Sequence, residues 1–330
     1  MLPRGLRRGR RRGRRDGCRD APAEPRGEGC HAGRRLGVER GRRGARRPSG
    51  GRGSGPGQEA PLRRFGALGG GRRAGRSLPA DGRGLQAGLA GQNLIRALPA
   101  RAKVNLELRV VGRRGDGHHE VDTLVQAVSL HDLVELEPAP ESSLEVTGLR
   151  VPLGADNLVS RALAAAGATA RVKLTKRIPP GSGLGGGSSD AAAVLRLFDA
   201  GDKAPNLGAD VTFFLRGGTA RATGRGERLE QLPDRPGWFA LAWPGIELST
   251  ASVYRAWDRV GGEGRNELFQ AAASVEPALQ DFAQKLGEGW VMTGSGSAFF
   301  REFGDPDSAG AAVAGLDCWT AVARAVGCWA

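Results

Sequence analysis

The sequence predicts an α+β fold of two lobes, and three observations predict it. Residues 99–112 alternate apolar Val104, Leu106, Leu108 and Val110 with polar Lys103, Asn105, Glu107 and Arg109, which reads as a half-buried strand. A strand, a glycine-rich loop and an alanine-rich helix follow one another across residues 170–198. The last third mixes helices with a hairpin, so the chain holds two lobes meeting at a cleft.

Charge divides the chain before any element is placed. The 330 residues carry a formal +14. Residues 1–100 hold 25 arginines, no lysine and 7 acidic residues, leaving 24 basic against 28 acidic residues in the remainder. The basic character therefore belongs to the first hundred residues. Residues 1–93 are built from Arg, Gly, Pro and Ala, with Phe65 as the one aromatic, and cannot bury enough apolar surface to order themselves. They read as a disordered extension. One reading is an Arg/Gly arm that binds nucleic-acid phosphates, although aromatic residues for base stacking are missing. The other is an upstream extension with no role in the folded part. No apolar core follows the arginines, which argues against a signal peptide. No run approaches the roughly 18 apolar residues of a membrane helix. Cys18, Cys30, Cys318 and Cys328 lack metal-site or disulfide spacing, so a reducing compartment, the cytoplasm, is expected.

The folded part is expected to begin near Leu98. After the first strand comes a polar turn at 113–120, then strands at 121–130, 132–138 and 143–149. Asp156 is placed to cap a helix over 156–167. A strand at 170–178 precedes the glycine loop, and residues 191–198 continue as helix. A short acidic turn near Asp210 leads into a strand pair ending near Leu232. A strand at 236–245 and a helix from Ser249 or Thr250 follow. Helices at 266–287, two strands at 290–303, a short alanine-rich helix and a final strand complete the chain.

The loop at 178–193, Ile-Pro-Pro-Gly-Ser-Gly-Leu-Gly-Gly-Gly-Ser-Ser-Asp-Ala-Ala-Ala, organises the rest. Strand, glycines and helix N-terminus in that order aim backbone N–H groups and the positive helix end at one point, which suits phosphate. Gly183, Gly185, Gly186 and Gly187 admit an anion without Cβ interference. Ser188 and Ser189 can cap the helix or donate to phosphate. A flexible linker is the bland reading, but a linker has no reason to sit between a strand and a helix. No Gly-Lys-Ser/Thr closes the loop, so it is not a Walker sequence.

Other residues with chemistry stand apart. Lys103 is the first lysine of an arginine-rich chain, and reads either as a solvated strand lysine or as a placed ammonium. Asp210 precedes the apolar Val211, Phe213 and Phe214, and is either a helix cap or a proton acceptor. Residues 293–296, Thr-Gly-Ser-Gly, are either a hairpin turn or a second backbone wall. His118 and His119 sit in the polar turn.

Together these pieces resemble the GHMP small-molecule kinases. The family's opening motif stands as Ala102-Lys103-Val104-Asn105-Leu106 and its Asp-Gly-Tyr-His turn as Asp116-Gly117-His118-His119. Its phosphate loop stands as Pro180, Gly181, Ser182, Gly183, Leu184, Gly185, Gly186, Gly187, Ser188 and Ser189. The Gly-Ala-Asp-Val segment ends on Asp210 and Val211, and the late loop is Thr293, Gly294, Ser295 and Gly296. Each motif is weak alone; the ordered set is specific. His118 stands where the family has Tyr and Thr212 where it has Pro, and the segment between Asp190 and Asp210 is shorter than in the family.

The resemblance implies a ribosomal S5 domain 2-like N-terminal lobe over residues 96–235 and a ferredoxin-like C-terminal lobe over residues 236–330. It implies an ATP-dependent alcohol kinase of isoprene biosynthesis whose substrate carries a cytidyl diphosphate. Mg²⁺ would arrive on ATP rather than on protein ligands. Asp210 would be the general base, with Lys103 keeping it ionised, and residues 180–189 would hold the ATP phosphates. Asn105, His118, His119, Tyr254, Thr293, Gly294 and Ser295 would bind the cytidyl substrate, Tyr254 by stacking. A small molecule is the expected partner, with no membrane and no specific nucleic acid. A GHMP kinase for another alcohol, and a kinase-like scaffold serving a nucleic-acid-binding arm, are the alternatives.

Overall fold

The structure, a computed structural model, describes residues 95–329. The extension expected over residues 1–93 lies outside them, as do Cys18 and Cys30. Strands β1 (Arg96–Arg113) and β2 (His119–Pro138) form a long antiparallel hairpin. Two strands were expected within 121–138, but β2 runs through as one. Arg101 pairs with His131 whereas the next residue, Ala102, pairs with Val128, so Ser129 and Leu130 are absorbed as a bulge without breaking the strand.

β2 changes partner along its length. Its first half pairs with β5 (Thr219–Gly224) and its second with β4 (Ala170–Lys176). β3 (Ser143–Gly148) lies parallel to β4, a pairing that requires a crossover, supplied by helix α1 (Leu158–Ala165). β6 (Arg228–Leu232) closes the other edge, giving the order β3-β4-β2-β5-β6 with β1 also on β2.

Asn157, not Asp156, caps α1. Its Oδ1 accepts the Val159 N–H at 2.9 Å while its Nδ2 donates to the Pro152 carbonyl at 2.7 Å. An aspartate could make the first bond but not the second. Helix α2 (Gly186–Leu197) follows the glycine loop, with Gly185 at its N-cap and no side-chain cap. Ser188 and Ser189 therefore sit inside the first turn, and the orphan N–H groups of that turn are left for a ligand or water. The short segment after it forms a 3₁₀ turn (Gly201–Lys203), a one-turn helix α3 (Ala204–Leu207) and helix α4 (Ala209–Phe213). The expected acidic turn is thus helical, and Asp210 lies in the first turn of α4 rather than capping it.

The remaining elements build a second sheet. β7 (Trp238–Trp243), α5 (Thr250–Val260), α6 (Phe269–Val275), α7 (Ala278–Leu286), β8 (Val291–Met292), β9 (Phe299–Phe303), α8 (Pro306–Val313) and β10 (Trp319–Arg324) follow in order. The sheet order β10-β7-β9-β8 is the ferredoxin-like arrangement. Ser249 caps α5, its side chain accepting from the Ser252 N–H.

Among the described residues three apolar clusters form the core, and β1 enters all of them. Ala100 joins Val134, Leu174 and Leu195 under the first sheet. Ala102, Val104 and Leu106 meet Ile178, Leu241 and Phe300. Leu108 and Val110 pack with Val253, Leu268 and Phe299. Burying each of the larger side chains stabilises by about 1.5–3 kcal/mol. Over 102–106 the strand is buried on both faces, not half-buried as its alternation suggests: Lys103 and Asn105 are each 4 % exposed. Their face is covered by the loops that form the site. Cys318 and Cys328 are free thiols.

Candidate active site

The glycine loop begins where β4 ends, and buried charges fix both of its ends. Lys176 at the end of β4 bonds through Nζ to Asp132 of β2 and, at 2.8 Å, to Oδ2 of Asp190 of α2. Asp132 Oδ1 also accepts the N–H groups of Arg177 (2.5 Å) and Ile178 (2.9 Å). The strand exit and the helix are thus tied together through one ammonium. Burial pushes the Asp190 carboxyl up to about 7, with Lys176 pulling it down and Asp132 adding to the rise. Burial works against the charge of Lys176, but its two carboxylates outweigh that and raise its pKa. Asp190 Oδ1 is buried without a partner among the described residues.

Between those fixed ends the backbone turns tightly. Gly183 (φ 79°) and Gly185 (φ 76°) lie in the left-handed region. A Cβ on Gly183 would run into the Thr293 carbonyl, and one on Gly185 would lie 2.8 Å from the Phe214 ring. Only glycine fits either place. The loop and α2 N-terminus face a cavity of about 500 Å³ whose walls include Gly181, Gly183, Gly185, Gly187, Ser188 and Asp210. It accommodates a phosphate chain on backbone N–H groups at a helix N-terminus.

Not every loop residue faces the cavity. Leu184 is fully buried in the apolar core, and its carbonyl accepts the Lys103 N–H at 3.0 Å. Ser182 donates its Oγ to the Pro179 carbonyl at 2.6 Å and so locks the turn. Ser189 is 2 % exposed and does not line the cavity. Pro180, Ser182, Gly186 and Ser188 do line it.

Lys103 Nζ lies 3.6 Å from Asp210 Oδ2 at the mouth of this cradle. β1 delivers the lysine and α4 the carboxylate. Asn105 Oδ1 accepts from Lys103 Nζ at 2.5 Å, and Asn105 Nδ2 donates to Thr123 Oγ1 at 2.8 Å. The Asn105 amide therefore aims the ammonium from the cavity wall, of which Asn105 is part. Thr293 stands behind that wall: fully buried, it does not line the cavity, and its hydroxyl accepts the Asn105 N–H at 2.9 Å. Gly294, Ser295 and Gly296 do, and Ser295 Oγ shares a hydrogen bond with Thr250 Oγ1 at 2.9 Å.

The two histidines part company. His118 points to solvent, its side chain 59 % exposed and beside Asp116, which accepts the His118 N–H at 3.1 Å and closes the turn. It does not line the cavity. His119 is buried against α5, its Nε2 2.6 Å from Asp258 Oδ1 and its ring stacked on Tyr254 at 4.8 Å. The hydrogen bond from His119 holds the Asp258 carboxyl below the usual range. His119 thus supports Tyr254, which lines the cavity. Burial, together with the Asp210 charge, pushes the Tyr254 hydroxyl upward, so it stays protonated.

Sequence reading missed Arg225, which lines the cavity from the turn between β5 and β6. A Gly-Arg-Gly turn between two strands was the available signal. It also missed Asp132 and Lys176, which alternate like solvated strand residues. Among the described residues no group of three or more His, Cys, Asp and Glu could hold a metal.

Comparison with known proteins gives four findings. The profile of the GHMP kinases N terminal domain matches residues 155–218. The chain is 40 % identical over 257 residues to the 4-diphosphocytidyl-2-C-methyl-D-erythritol kinase of Pelotomaculum thermopropionicum, covering 64 % of this chain and 90 % of that protein. It is 36 % identical over 262 residues to the enzyme of the same name from Syntrophotalea carbinolica, covering 66 % and 92 %. A crystal structure of 4-(cytidine 5'-diphospho)-2C-methyl-D-erythritol kinase superposes with a TM-score of 0.61 at 38 % identity, covering 70 % of this chain and all of that one.

Proposed function

Because the chain belongs to the GHMP kinase family, with a relative 40 % identical across 90 % of its length, we propose that it phosphorylates the 2-hydroxyl of 4-diphosphocytidyl-2-C-methyl-D-erythritol with ATP. That reaction belongs to isoprenoid precursor synthesis. The observation that carries the reading is the Lys103–Asp210 pair, 3.6 Å apart beside the glycine cradle.

Asp210 accepts the proton of the attacking hydroxyl as its oxygen bonds the terminal phosphorus and the bond from that phosphorus to the departing ADP breaks, and Lys103 faces the negative charge that develops on the attacking oxygen. The N–H groups of the loop and of the first turn of α2 receive the phosphate oxygens, so the chain's work is positioning and electrostatics. Mg²⁺, carried on the nucleotide, offsets phosphate charge when bound; the Ser188 hydroxyl on the cavity wall is a hard oxygen donor of the kind it takes. Tyr254, braced by His119, presents an aromatic face for the cytosine, and Arg225 supplies a cation for the substrate's diphosphate.

In this reading residues 96–235 form the nucleotide-binding lobe, residues 236–330 complete the substrate side, and residues 1–93 take no part in the chemistry. The protein works in the cytoplasm on a small molecule. Among the described residues no helix is long and apolar enough to cross a membrane. Coupled ADP release, measured with and without the cytidyl substrate, tests the reading. Release that depends on that substrate supports it; equal release without it, or release with a different alcohol alone, rejects it.

A further inference from the structure

A polar residue outside the cavity pins the loop that presses on Lys103. Asn266 is 4 % exposed and sits between the end of α5 and the start of α6. Its Nδ2 donates to the carbonyls of Met292 (2.6 Å) and Gly294 (2.9 Å), and its Oδ1 accepts the Leu268 N–H at 3.0 Å. The segment around it is stitched to β1. The Leu108 N–H donates to the Arg265 carbonyl at 2.8 Å, and the Glu267 N–H donates back to the Leu108 carbonyl at 3.0 Å. Glu267 Oε2 also accepts the Val110 N–H at 2.7 Å. Asn266 is thus anchored on the strand that carries Lys103.

Gly294 is the other end of the link. A Cβ there would lie 3.1 Å from Lys103 Nζ and 3.2 Å from Asn105 Oδ1, so its backbone lies directly against the ammonium. As a glycine at φ 58° its flanking peptides have wide freedom to turn once the carbonyl is released. We propose that Asn266 is a positioning residue for phosphoryl transfer, holding the Gly294 peptide against Lys103 so that the ammonium stays aimed at Asp210. The catalytic part of this inference rests on the kinase reading above. A purely structural Asn266 would differ: its loss would lower stability and leave the rate per folded molecule unchanged.

Asn266→Ala, which removes both donors, and Asn266→Ser, which keeps one hydroxyl donor, test the proposal against wild type. In N266A, kcat falls at least about tenfold while the KM values for ATP and the cytidyl substrate stay within about threefold, since misplacement of about an ångström is enough for such a loss. N266S lies between. In a Lys103→Ala background, adding N266A changes the residual rate, followed with labelled ATP, less than about twofold, because the two act through one ammonium. A wild-type kcat in N266A, or its full loss repeated in the K103A background, overturns the proposal. If the wild type fails to turn over the cytidyl substrate, the kinase reading fails instead. The inference is then read from the Gly294 amide resonance of the isotope-labelled, ligand-free protein. A displaced Gly294 signal in N266A or N266S with the remaining dispersion intact supports it; an unmoved one overturns it.

Discussion

Lys103 exposes 5 % of its side chain and Asp210, 3.6 Å away, exposes 48 %. Both line the cavity, the cation sunk in its wall and the carboxylate open to it, so Asp210 is the group placed to take a proton from an incoming hydroxyl while Lys103 backs it. Asp210→Asn is expected to lower kcat by a factor of about 10²–10⁴, the usual worth of a general base. Lys103→Ala should fall at least as far, because it also leaves Asn105 Oδ1 without its strongest donor. Nucleotide binding, followed by calorimetry, should persist in both. Near-normal ADP release by either variant would remove that residue from the chemistry.

The cradle's glycines should separate sharply by position. Gly183→Ala puts a Cβ into the Thr293 carbonyl at a left-handed φ, and the expected cost exceeds the 1 kcal/mol or so of an ordinary glycine substitution. At Gly187 the nearest atom to such a Cβ is Leu158 Cδ1 at 3.5 Å, and the residue is helical. Gly187→Ala should therefore leave ligand-free stability unchanged or raise it slightly. Thermal melts of the two variants without nucleotide check the order.

The buried Asp132–Lys176–Asp190 group makes stability depend on pH with a definite sign. The Asp190 carboxyl is raised from 3.8 to about 7, chiefly by burial. Between those values the folded protein holds a proton that the unfolded chain has released, so stability falls as pH rises across that window and levels off above it. Asp190→Asn, which cannot titrate, should flatten the slope. Urea-unfolding midpoints on either side of the window measure it, and an equal slope in the variant would assign the effect elsewhere.

Tyr254 should matter to one substrate only. Removing an aromatic platform costs about 1–3 kcal/mol per stacked base, so Tyr254→Ala should raise the KM for the cytidyl substrate roughly ten- to a hundredfold. The KM for ATP should hardly move, while Tyr254→Phe keeps the ring and most of the affinity. His119→Ala removes the ring stacked on Tyr254 at 4.8 Å and should give a smaller loss in the same direction. A rise in the KM for ATP instead would put Tyr254 on the nucleotide side.

Much of the site was legible because it is written in contiguous motifs. The glycine loop, Lys103 with Asn105, and Asp210 are short signatures whose chemistry follows from residue type, and folding brings them to one cavity. The parts that escaped depend on distance in sequence. Asp132 looks like one more polar residue of an alternating strand until β4 lays Lys176 beside it. Asn266 has no local signature; its role exists only because Gly294 returns to it from the far side of two helices. His118 and His119 were indistinguishable by composition; the first ends the turn and points to solvent, and the second opens β2 and stacks on Tyr254. Element boundaries slipped for a similar reason: the one-residue shift from Asp156 to Asn157 turned on a donor that aspartate lacks.

β1 threads every apolar cluster of the described molecule and carries Lys103 at its middle. No small detachable flap holds the reactive ammonium, so there is no partial melting that spares the rest. Warming such a protein should extinguish catalysis and the cooperative heat-capacity peak together, at one temperature, and the same strand would transmit a cavity made at Leu108 to chemistry that Leu108 never touches.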